Sequence, residues 1–452
     1  MGSNVSSKKT NEITQGVIWK QLLLFFFPIL LGSFFQQLYN TVDAIIVGRF
    51  IGKAALAAVG GSAGLIINLT VGFFMGLTSG ASVIVSQFFG SDNKEKVNDS
   101  IHTIYAFSVI GSIFITIIGI MVSPAILSLM NTPEELITDS ILYLRIYFGG
   151  IFFVFIYNTG SGLLRALGDS KRPLYSLVVC CFINIVLDLV LILIFDMGIA
   201  GAAVATVISQ AISALLVTWF LIRSDLLCQF SLRKIRIHSA MLKSQLVLGF
   251  PAGLQYAMYS ISNMIIQSAL NKFGTDTAAA WAAYGKMDAI YWMISGAFGI
   301  AITTFVGQNY GAGKIDRVKK SIRVCIGMDL AVSVFMAVFL VLLRVPLFHI
   351  FVNDATVVEI GSQMLLLLTP FYFIFVFTEI LSGALRGMGD VMIPMFITIG
   401  GICVLRIFWI FFVVPFHPTL TITLLNYLIS WILTSSLFLI YYLYRIRKYK
   451  SE

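Results

Sequence analysis

The sequence predicts an all-α integral membrane protein with twelve transmembrane helices, arranged as two parallel six-helix repeats around a central cavity. Three observations lead to this prediction. Of the 452 residues, 58% are hydrophobic and only 11% are charged. Apolar runs repeatedly reach the length of about 20 residues that a helix needs to cross a bilayer. The second half of the chain also repeats motifs of the first half at a nearly constant offset.

The duplication is clearest in the stretch GLLRALGDSKRP at 162–173, which returns as GALRGMGDVMIP at 383–394. At this offset of 221, seven of the thirteen positions from Ser161 to Pro173 are identical to their counterparts. Further identical pairs at the same offset are Gln87/Gln308, Gly90/Gly311, Val97/Val318 and Ser100/Ser321. The chain is therefore interpreted as a tandem duplication of one unit.

Twelve apolar windows satisfy the length criterion, six in each repeat. They cover 17–43, 54–84, 97–122, 134–160, 172–195, 199–222, 244–270, 277–306, 320–343, 355–383, 391–414 and 420–444. The predicted domains are a tail at 1–16, an N-lobe at 17–222, a linker at 223–243, a C-lobe at 244–444 and a tail at 445–452. An even number of spans per repeat gives both halves the same orientation, so an axis along the membrane normal relates them and a substrate path between them is expected.

The net charge of +9 follows the membrane topology. Of the 30 lysines and arginines, 23 lie on one side of the predicted membrane and four on the other. Because cytoplasmic loops carry an excess of Lys and Arg, both termini and both copies of the repeated stretch are predicted to be cytoplasmic. The repeated stretch is interpreted as a tight turn, with Arg165 and Arg386 as topology anchors. No nucleic-acid partner is expected.

The number and spacing of the cysteines do not indicate a metal site or a disulfide framework. Their number is odd, and they lie mostly inside apolar runs without the spacing of a zinc site. They are Cys180, Cys181, Cys228, Cys325 and Cys403. No cofactor is expected beyond a coupling ion, and the first span lacks a cleavage site, so it is expected to stay in a plasma-membrane protein.

Acidic side chains at bilayer depth are costly and mark candidate functional positions. Asp188 lies deep in span 5, and Asn184 shares its helix face four residues earlier. Asp43 ends span 1 at a similar predicted depth, in the outer half of the membrane. These oxygen ligands suit a hard cation, and two close carboxylates in a low-dielectric pocket suit a proton. The alternative is structural, with Asp43 solvated at the interface and Asp188 bonded to a neighbour.

The second repeat carries other charges. Glu379 lies in an otherwise apolar span, and we expect either cation recognition or a structural pair with Arg406 or Lys286. Aromatic walls with a few acids suit lipophilic cations through burial, charge and cation–π contact, although packing explains most aromatics equally well. The predicted substrate contacts are Glu379, Asp288, Tyr39 and Tyr259.

Two separated motifs, VGQNYGAGK at 306–314 and the duplicated RALGD/RGMGD, together with Pro28 and YNTVD ending at Asp43, resemble the multidrug and toxic compound extrusion (MATE) family. This family belongs to the multidrug/oligosaccharidyl-lipid/polysaccharide exporter superfamily. The resemblance implies a V-shaped pair of lobes that alternate between outward-open and inward-open states. It also implies export of organic cations in exchange for inward Na⁺ or H⁺.

Carried over to this sequence, the resemblance implies an N-lobe cation site of Asp43, Asn184, Asp188 and Thr206, with Tyr143 a weaker match. The same set would hold the metal ion if the coupling ion is Na⁺. Some members carry an acid soon after the Phe-Pro of span 7. Here the run AGLQYAMYSISN has none, so coupling is assigned to the N-lobe.

Two other functions are considered. A flippase for a lipid-linked saccharide would be favoured by additional spans and by a basic cavity for phosphate, whereas acids are expected to predominate here. An integral-membrane enzyme would need a reactive constellation, yet the four histidines lie near loops or span ends. The expected partners are therefore small organic molecules, cationic drugs or toxins, and membrane lipid, and the protein is expected to be a monomer.

Overall fold

The computed structural model describes residues 12–224 and 230–448. Cys228 lies outside this part of the chain, as do three of the basic residues counted for the predicted topology, Lys8, Lys9 and Lys450. The described residues contain helices and no strand. The long helices are α1 Ile18–Ile51, α2 Lys53–Gly90, α3 Lys94–Leu129, α4 Glu134–Ala166, α5 Lys171–Ile194, α6 Gly198–Ile222, α7 Ser239–Asn271, α8 Thr275–Gly311, α9 Ile315–Leu342, α10 Ala355–Gly387, α11 Met392–Phe416 and α12 Leu420–Lys448.

Eleven of these helices are long and apolar enough to cross a membrane. The remaining one, α7, has 33 residues and lies where span 7 is predicted, but its serines, glutamines and asparagines make it more polar. The longest uninterrupted helix, α8, has 37 residues, about 56 Å at 1.5 Å per residue, whereas the 38 residues of α2 are interrupted by a kink at Gly61. That exceeds a hydrocarbon core of about 30 Å, so such helices tilt or project from it. The protein is therefore a multi-pass membrane protein.

The first helix is longer than predicted. Span 1 is predicted to end at Asp43, whereas the helix continues through a π-helical turn at Val47–Ile51 and ends at Gly52, whose φ is +123°. Asp43 thus lies inside α1 and is only 9% exposed, rather than at an interface. Pro28 lies within the same continuous helix.

Each lobe is held together by aromatic and aliphatic packing. In the N-lobe the rings of Phe74 and Phe155 stack at 3.5 Å between centroids. In the C-lobe Tyr291 and Tyr372 stack at 4.0 Å beside the fully buried Trp431. Such offset or stacked aromatic pairs bury large areas and fix how neighbouring helices approach.

Helices α2 and α7 bring the two lobes into backbone contact. Gly76 and Gly80 of α2 face Gly253 and Gly249 of α7, and a Cβ atom at either α2 glycine would overlap the α7 backbone. Small residues four apart on both helices permit this close approach. Because α7 contacts the N-lobe in this way and α1 contacts α8, the lobe boundaries drawn at 222 and 244 stay a prediction.

The repeated stretch joins the lobes reciprocally. The Nε2 atom of Gln87 donates to the carbonyl oxygen of Gly387 at 2.9 Å, and Nε2 of Gln308 donates to that of Ala166 at 2.8 Å. Both bonds link counterparts at the offset of 221, so they are equivalent under the duplication. We call this pair of bonds the glutamine clasp.

Candidate functional site

A central cavity of about 530 Å³ lies between the lobes. Residues of α1, α2 and α4 form one wall, and residues of α7, α8, α10 and α11 form the other. Two of the predicted substrate contacts, Glu379 and Tyr259, line it. The charged residues on its wall are Arg165, Arg386 and Glu379. The expectation that acids predominate in this cavity is therefore wrong, because two helix-end arginines turn inward.

Glu379 does not form either of the pairs considered from the sequence. Lys286 is exposed, and Arg406 is directed into a second cavity of the C-lobe. The Glu379 carboxylate instead lies against Gly299 of α8, where a Cβ atom would overlap Oε1, and its neighbouring cation is Arg386. It receives no hydrogen bond from the described residues. This carboxylate remains available to a ligand.

The C-lobe contains a second cavity of about 440 Å³, the C-lobe chamber, which shares wall residues with the central cavity. The shared residues are Tyr259, Asn263, Trp292 and Phe375. Asp288, another predicted substrate contact, faces the chamber with its carboxylate engaged. Trp292 donates to Oδ2 at 2.5 Å, and the hydroxyls of Tyr284, at 3.4 Å, and Tyr372 donate to Oδ1.

Arg406 is the cation of the C-lobe chamber. It is 3% exposed, its Nε donates to the Ser430 hydroxyl at 2.9 Å, and its guanidinium lies 4.2 Å from the ring centroid of Tyr427. No carboxylate of the described residues lies within 4.0 Å of it, although Asp288 is close enough to attract it electrostatically. An aromatic face and a hydroxyl therefore contact this buried guanidinium where an ion pair is absent.

The two acids predicted for the N-lobe lie close together. The carboxyl groups of Asp43 on α1 and Asp188 on α5 are near enough to interact electrostatically. Asp188 is fully buried, and neither of its oxygens has a hydrogen-bond donor from the described residues. Two ionised carboxylates that are this close and this buried repel each other, so a bound proton or cation would stabilise the pair.

Asn184 and Thr206 complete the predicted oxygen set. Asn184 is fully buried, and both polar atoms of its side chain lack a partner among the described residues. The Ser213 hydroxyl donates to the Ser176 carbonyl at 2.9 Å, and Cys180, one turn further along α5, contacts Ser209. Continuing this antiparallel register by one more turn sets Asn184 level with Thr206, which is 4% exposed.

Two tyrosines border the acid pair. Tyr143 of α4 is buried and close enough to both Asp43 and Asp188 to interact electrostatically. Tyr39, predicted as a substrate contact, lies beside Asp43 and Tyr143. It therefore borders these N-lobe residues and does not lie with Glu379 and Tyr259. We refer to Asp43, Tyr143, Asn184, Asp188 and Thr206 as the N-lobe cluster.

The N-lobe cluster is suited to a proton or an alkali cation. Its donors are carboxyl, amide and hydroxyl oxygens, which prefer hard ions. The described part of the chain holds no group of three or more His, Cys, Asp or Glu side chains that could bind a metal.

Sequence reasoning missed the inward orientation of Arg165 and Arg386. Asp329 of α9, which is not among the predicted site residues, is also fully buried and accepts a hydrogen bond from Ser295 at 3.1 Å. The duplication is the sequence feature that could have identified these arginines, since both occupy the same position of the repeated stretch.

The sequence model of the MatE family matches this chain twice, at 28–190 and at 251–412. The chain belongs to the MATE family. Each match falls in one of the two repeats, and together they cover more than half of the chain. The predicted MATE resemblance and the all-helical fold are thereby confirmed.

Among similar MATE proteins, the probable multidrug resistance protein YoeA of Bacillus subtilis is 31% identical over 398 residues, covering 86% of both chains. The probable multidrug resistance protein YpnP of the same organism is 32% identical over 400 residues, covering 88% of this chain and 89% of that protein. The outward-facing structure of a multidrug resistance MATE family transporter is 22% identical and covers 97% of this chain and 98% of that chain, with a TM-score of 0.89. That structural likeness extends over nearly the entire fold.

Proposed function

We propose that this protein is a secondary active multidrug efflux transporter, which exports small lipophilic molecules in exchange for inward H⁺ or Na⁺ by alternating access. Its relatives YoeA and YpnP are named as probable multidrug resistance proteins, which supports export of small molecules. The observation that carries the coupling is the close approach of two buried carboxyls, Asp43 and Asp188, on different helices. Lipophilic organic cations, predicted from the sequence, would meet Glu379 and the ring of Tyr259 in the central cavity.

The coupling ion is assigned to the N-lobe cluster. A proton bound by Asp43 or Asp188 would remove the repulsion of two buried charges that lie close together. Na⁺ is the alternative, because the Asn184 amide oxygen lacks a partner and could serve as a further ligand. In either case the ion decides whether α1 and α5 can pack at this depth, so its loss would change how the N-lobe packs.

The inter-lobe contacts support alternating access. Within the described residues, the hydrogen bonds and ring stacks between the lobes lie in the half that contains the glutamine clasp, as in the pair of Phe26 and Phe298, stacked at 4.0 Å. Under the predicted topology, with cytoplasmic termini in the plasma membrane, this half is cytoplasmic and the central cavity opens outward. Release of these contacts, with closure at the other end, would give the inward-open state.

Transport in proteoliposomes with separately imposed pH and Na⁺ gradients tests the proposal. Gradient-driven transport of a fluorescent organic cation is expected for the unmodified protein and is expected to be lost in Asp43→Asn and Asp188→Asn, because each variant removes one of the two carboxyls proposed to bind the exchanged ion. Asp276→Asn, which removes an exposed carboxylate at the start of α8, is the matched control and should transport normally. If neither gradient drives transport, or if both N-lobe variants remain coupled, the proposal is wrong.

One observation favours the flippase as a second candidate. The two arginines on the wall of the central cavity supply the basic surface that a phosphate-bearing lipid would need. Reconstitution with a fluorescent phospholipid, followed by quenching from one side, tests this directly. Arginine-dependent movement of the lipid between leaflets would support it, and an unchanged leaflet distribution would exclude it for that lipid. The enzyme alternative gains no support from relatives that are transporters.

A further inference from the structure

We infer that Arg165 and Arg386, one from each lobe, bind the anionic group of an amphiphilic molecule in the central cavity, either a carboxylate or a phosphate. This inference rests on the proposed transport function and defines its substrate class more closely. It is argued from the position of the two side chains, from the ion pairs around them and from the helix ends on which they stand.

The two arginines occupy equivalent stripes on the cavity wall. On α4 the stripe is Asn158, Gly162 and Arg165, and on α10 it is Glu379, Gly383 and Arg386. Positions separated by four and seven residues share one face of a helix. All six line the central cavity, and each residue of one stripe is the counterpart of one in the other. The duplication thus directs two guanidinium groups into a single space.

The carboxylates next to these arginines in the sequence are already engaged. Asp169 pairs with Arg172 at 3.2 Å, and Asp390 pairs with Arg445 at 3.2 Å and also accepts from the Tyr441 hydroxyl. Within the described residues, neither Arg165 nor Arg386 has a carboxylate within 4.0 Å. Glu379 is the acid that interacts electrostatically with Arg386, and it lies on the same helical stripe as Arg386. The stripe of Arg165 contains no acid.

The arginines are also not needed to cap their helices. The last carbonyls of α4, at 163, 164 and 165, accept from the N–H groups of residues 167, 169 and 168, and the next accepts from Gln308. The last turn of α10 is satisfied in the same way, its final carbonyl accepting from Gln87. Since these terminal carbonyls have partners, both guanidinium groups remain free to bind a ligand.

The chemistry of the wall then defines the ligand. A half-buried guanidinium without a counter-ion is costly, and it pairs with carboxylate or phosphate oxygens through two parallel hydrogen bonds. Asn158 occupies the position equivalent to Glu379, so the N-lobe stripe has a cation without an acid. A fitting molecule has an oxyanion that pairs with Arg165. Its apolar or cationic body contacts Tyr259 and Glu379 on the opposite wall.

A matched pair of dyes tests the inference. Rhodamine 19 carries a free carboxylate, and rhodamine 6G is its ethyl ester, so the two differ mainly in this group. Fluorescence anisotropy of each dye with the purified full chain in a neutral maltoside detergent would be measured for Arg165→Gln, Arg386→Gln and the control Lys320→Gln, an exposed cation on α9. The arginine variants should bind rhodamine 19 about tenfold more weakly than the unmodified protein does, and their affinity for rhodamine 6G should not fall. Lys320→Gln should change neither affinity.

Further arms keep the result interpretable. Arg165→Lys, which keeps the charge but loses the planar fork, should recover part of the affinity for rhodamine 19. Phosphatidylglycerol that displaces rhodamine 19, where phosphatidylcholine does not, would identify a lipid headgroup as the ligand. Failure of both lipids to compete would assign the site to a soluble carboxylate. Arginine variants that weaken both dyes equally, or neither, would overturn the inference, as would an unmodified protein that binds only rhodamine 6G.

The binding test is independent of coupling. The dye affinities are measured in detergent without an ion gradient, so they do not require gradient-driven exchange. Loss of dye discrimination with intact gradient-driven transport would refute only the anion site. Intact discrimination with coupling retained in Asp43→Asn and Asp188→Asn would refute only the proposed function.

Discussion

Replacement of Gly90 by alanine should open the end of the protein that the glutamine clasp closes. A Cβ atom at Gly90 would overlap the carbonyl oxygen of Gln308, and one at Gly311 would overlap that of Gln87. The opposing atoms are backbone, so no side-chain rotation relieves the overlap. Such overpacking costs about 1–3 kcal/mol. Because the clash exists only while the lobes are closed at this end, the closed state should lose about five- to 150-fold in population.

Cysteine accessibility measures this shift. Ser82 lies on the central cavity wall, and Ser82→Cys in a chain whose native cysteines are replaced by serine reports entry from the clasp side. A membrane-impermeant maleimide applied to inside-out vesicles should label this reporter faster in Gly90→Ala than in the parent. The same reagent applied from the opposite side should label it more slowly.

Gly111→Ala is the control, because a Cβ atom at this α3 position meets no atom within 4 Å. It carries the same glycine-to-alanine change in a helix without the overlap. Equal labelling rates in Gly90→Ala and Gly111→Ala, with both proteins eluting as folded monodisperse species, would refute the reasoning. It would mean that the clasp contact does not determine access to the cavity.

Two smaller perturbations follow from the same interface. Gln308→Ala removes one hydrogen bond of 2.8 Å, worth about 0.5–1.5 kcal/mol, and should raise the labelling rate of the Ser82→Cys reporter by about two- to twelve-fold; an unchanged rate would show that the bond is not formed in the closed state. Gly76→Val inserts a side chain into the α7 backbone and should lower the thermal unfolding midpoint in detergent well below that of Gly285→Ala, where a Cβ atom meets open space. Equal midpoints would contradict the close approach of α2 and α7.

The N-lobe cluster could largely be predicted from residues, because acids at bilayer depth are rare and each needs a reason. Asp43, Asn184 and Asp188 were selected in this way, and the structure brings the two acids close together. The depth of Asp43 in the membrane was harder to predict from the sequence. The apolar window ended at Asp43, whereas α1 continues to Ile51, since a π-helical turn and a following glycine decide where that helix stops. The place of Thr206 came only from family resemblance.

The arginines of the repeated stretch could not be assigned from the sequence. Counting basic residues near span ends treats an arginine in a loop and one facing a cavity alike. The two kinds of arginine differ only in their tertiary contacts. Asp169 is taken by Arg172, and Asp390 is taken by Arg445 from the end of α12, more than fifty residues away in the chain. Without knowledge of those two ion pairs, Arg165 would be paired with Asp169, and Arg386 with Asp390.

The duplication separates the structural residues from those that set the chemistry. Gln87 and Gln308 are identical in both copies, and their reciprocal bonds need both. By contrast, Asp188 falls on Trp409 in the second copy, and Asn158 falls on Glu379. The acid pair of the N-lobe cluster and the acid of the central cavity therefore each occur in only one of the two copies.

The repeated arginines do not follow this division. They are identical in both copies, as structural residues are, yet they make no hydrogen bond or ion pair within the described part of the chain. Each stands one residue before a carbonyl of the glutamine clasp, at Ala166 and at Gly387. A group that is retained twice, is not used by the turn and faces the cavity is best explained by a ligand. Because that ligand would lie beside the clasp, the Arg165→Gln and Gly90→Ala experiments both examine the surroundings of Gln308, whose carbonyl oxygen faces Gly90 and whose side chain donates to the residue after Arg165.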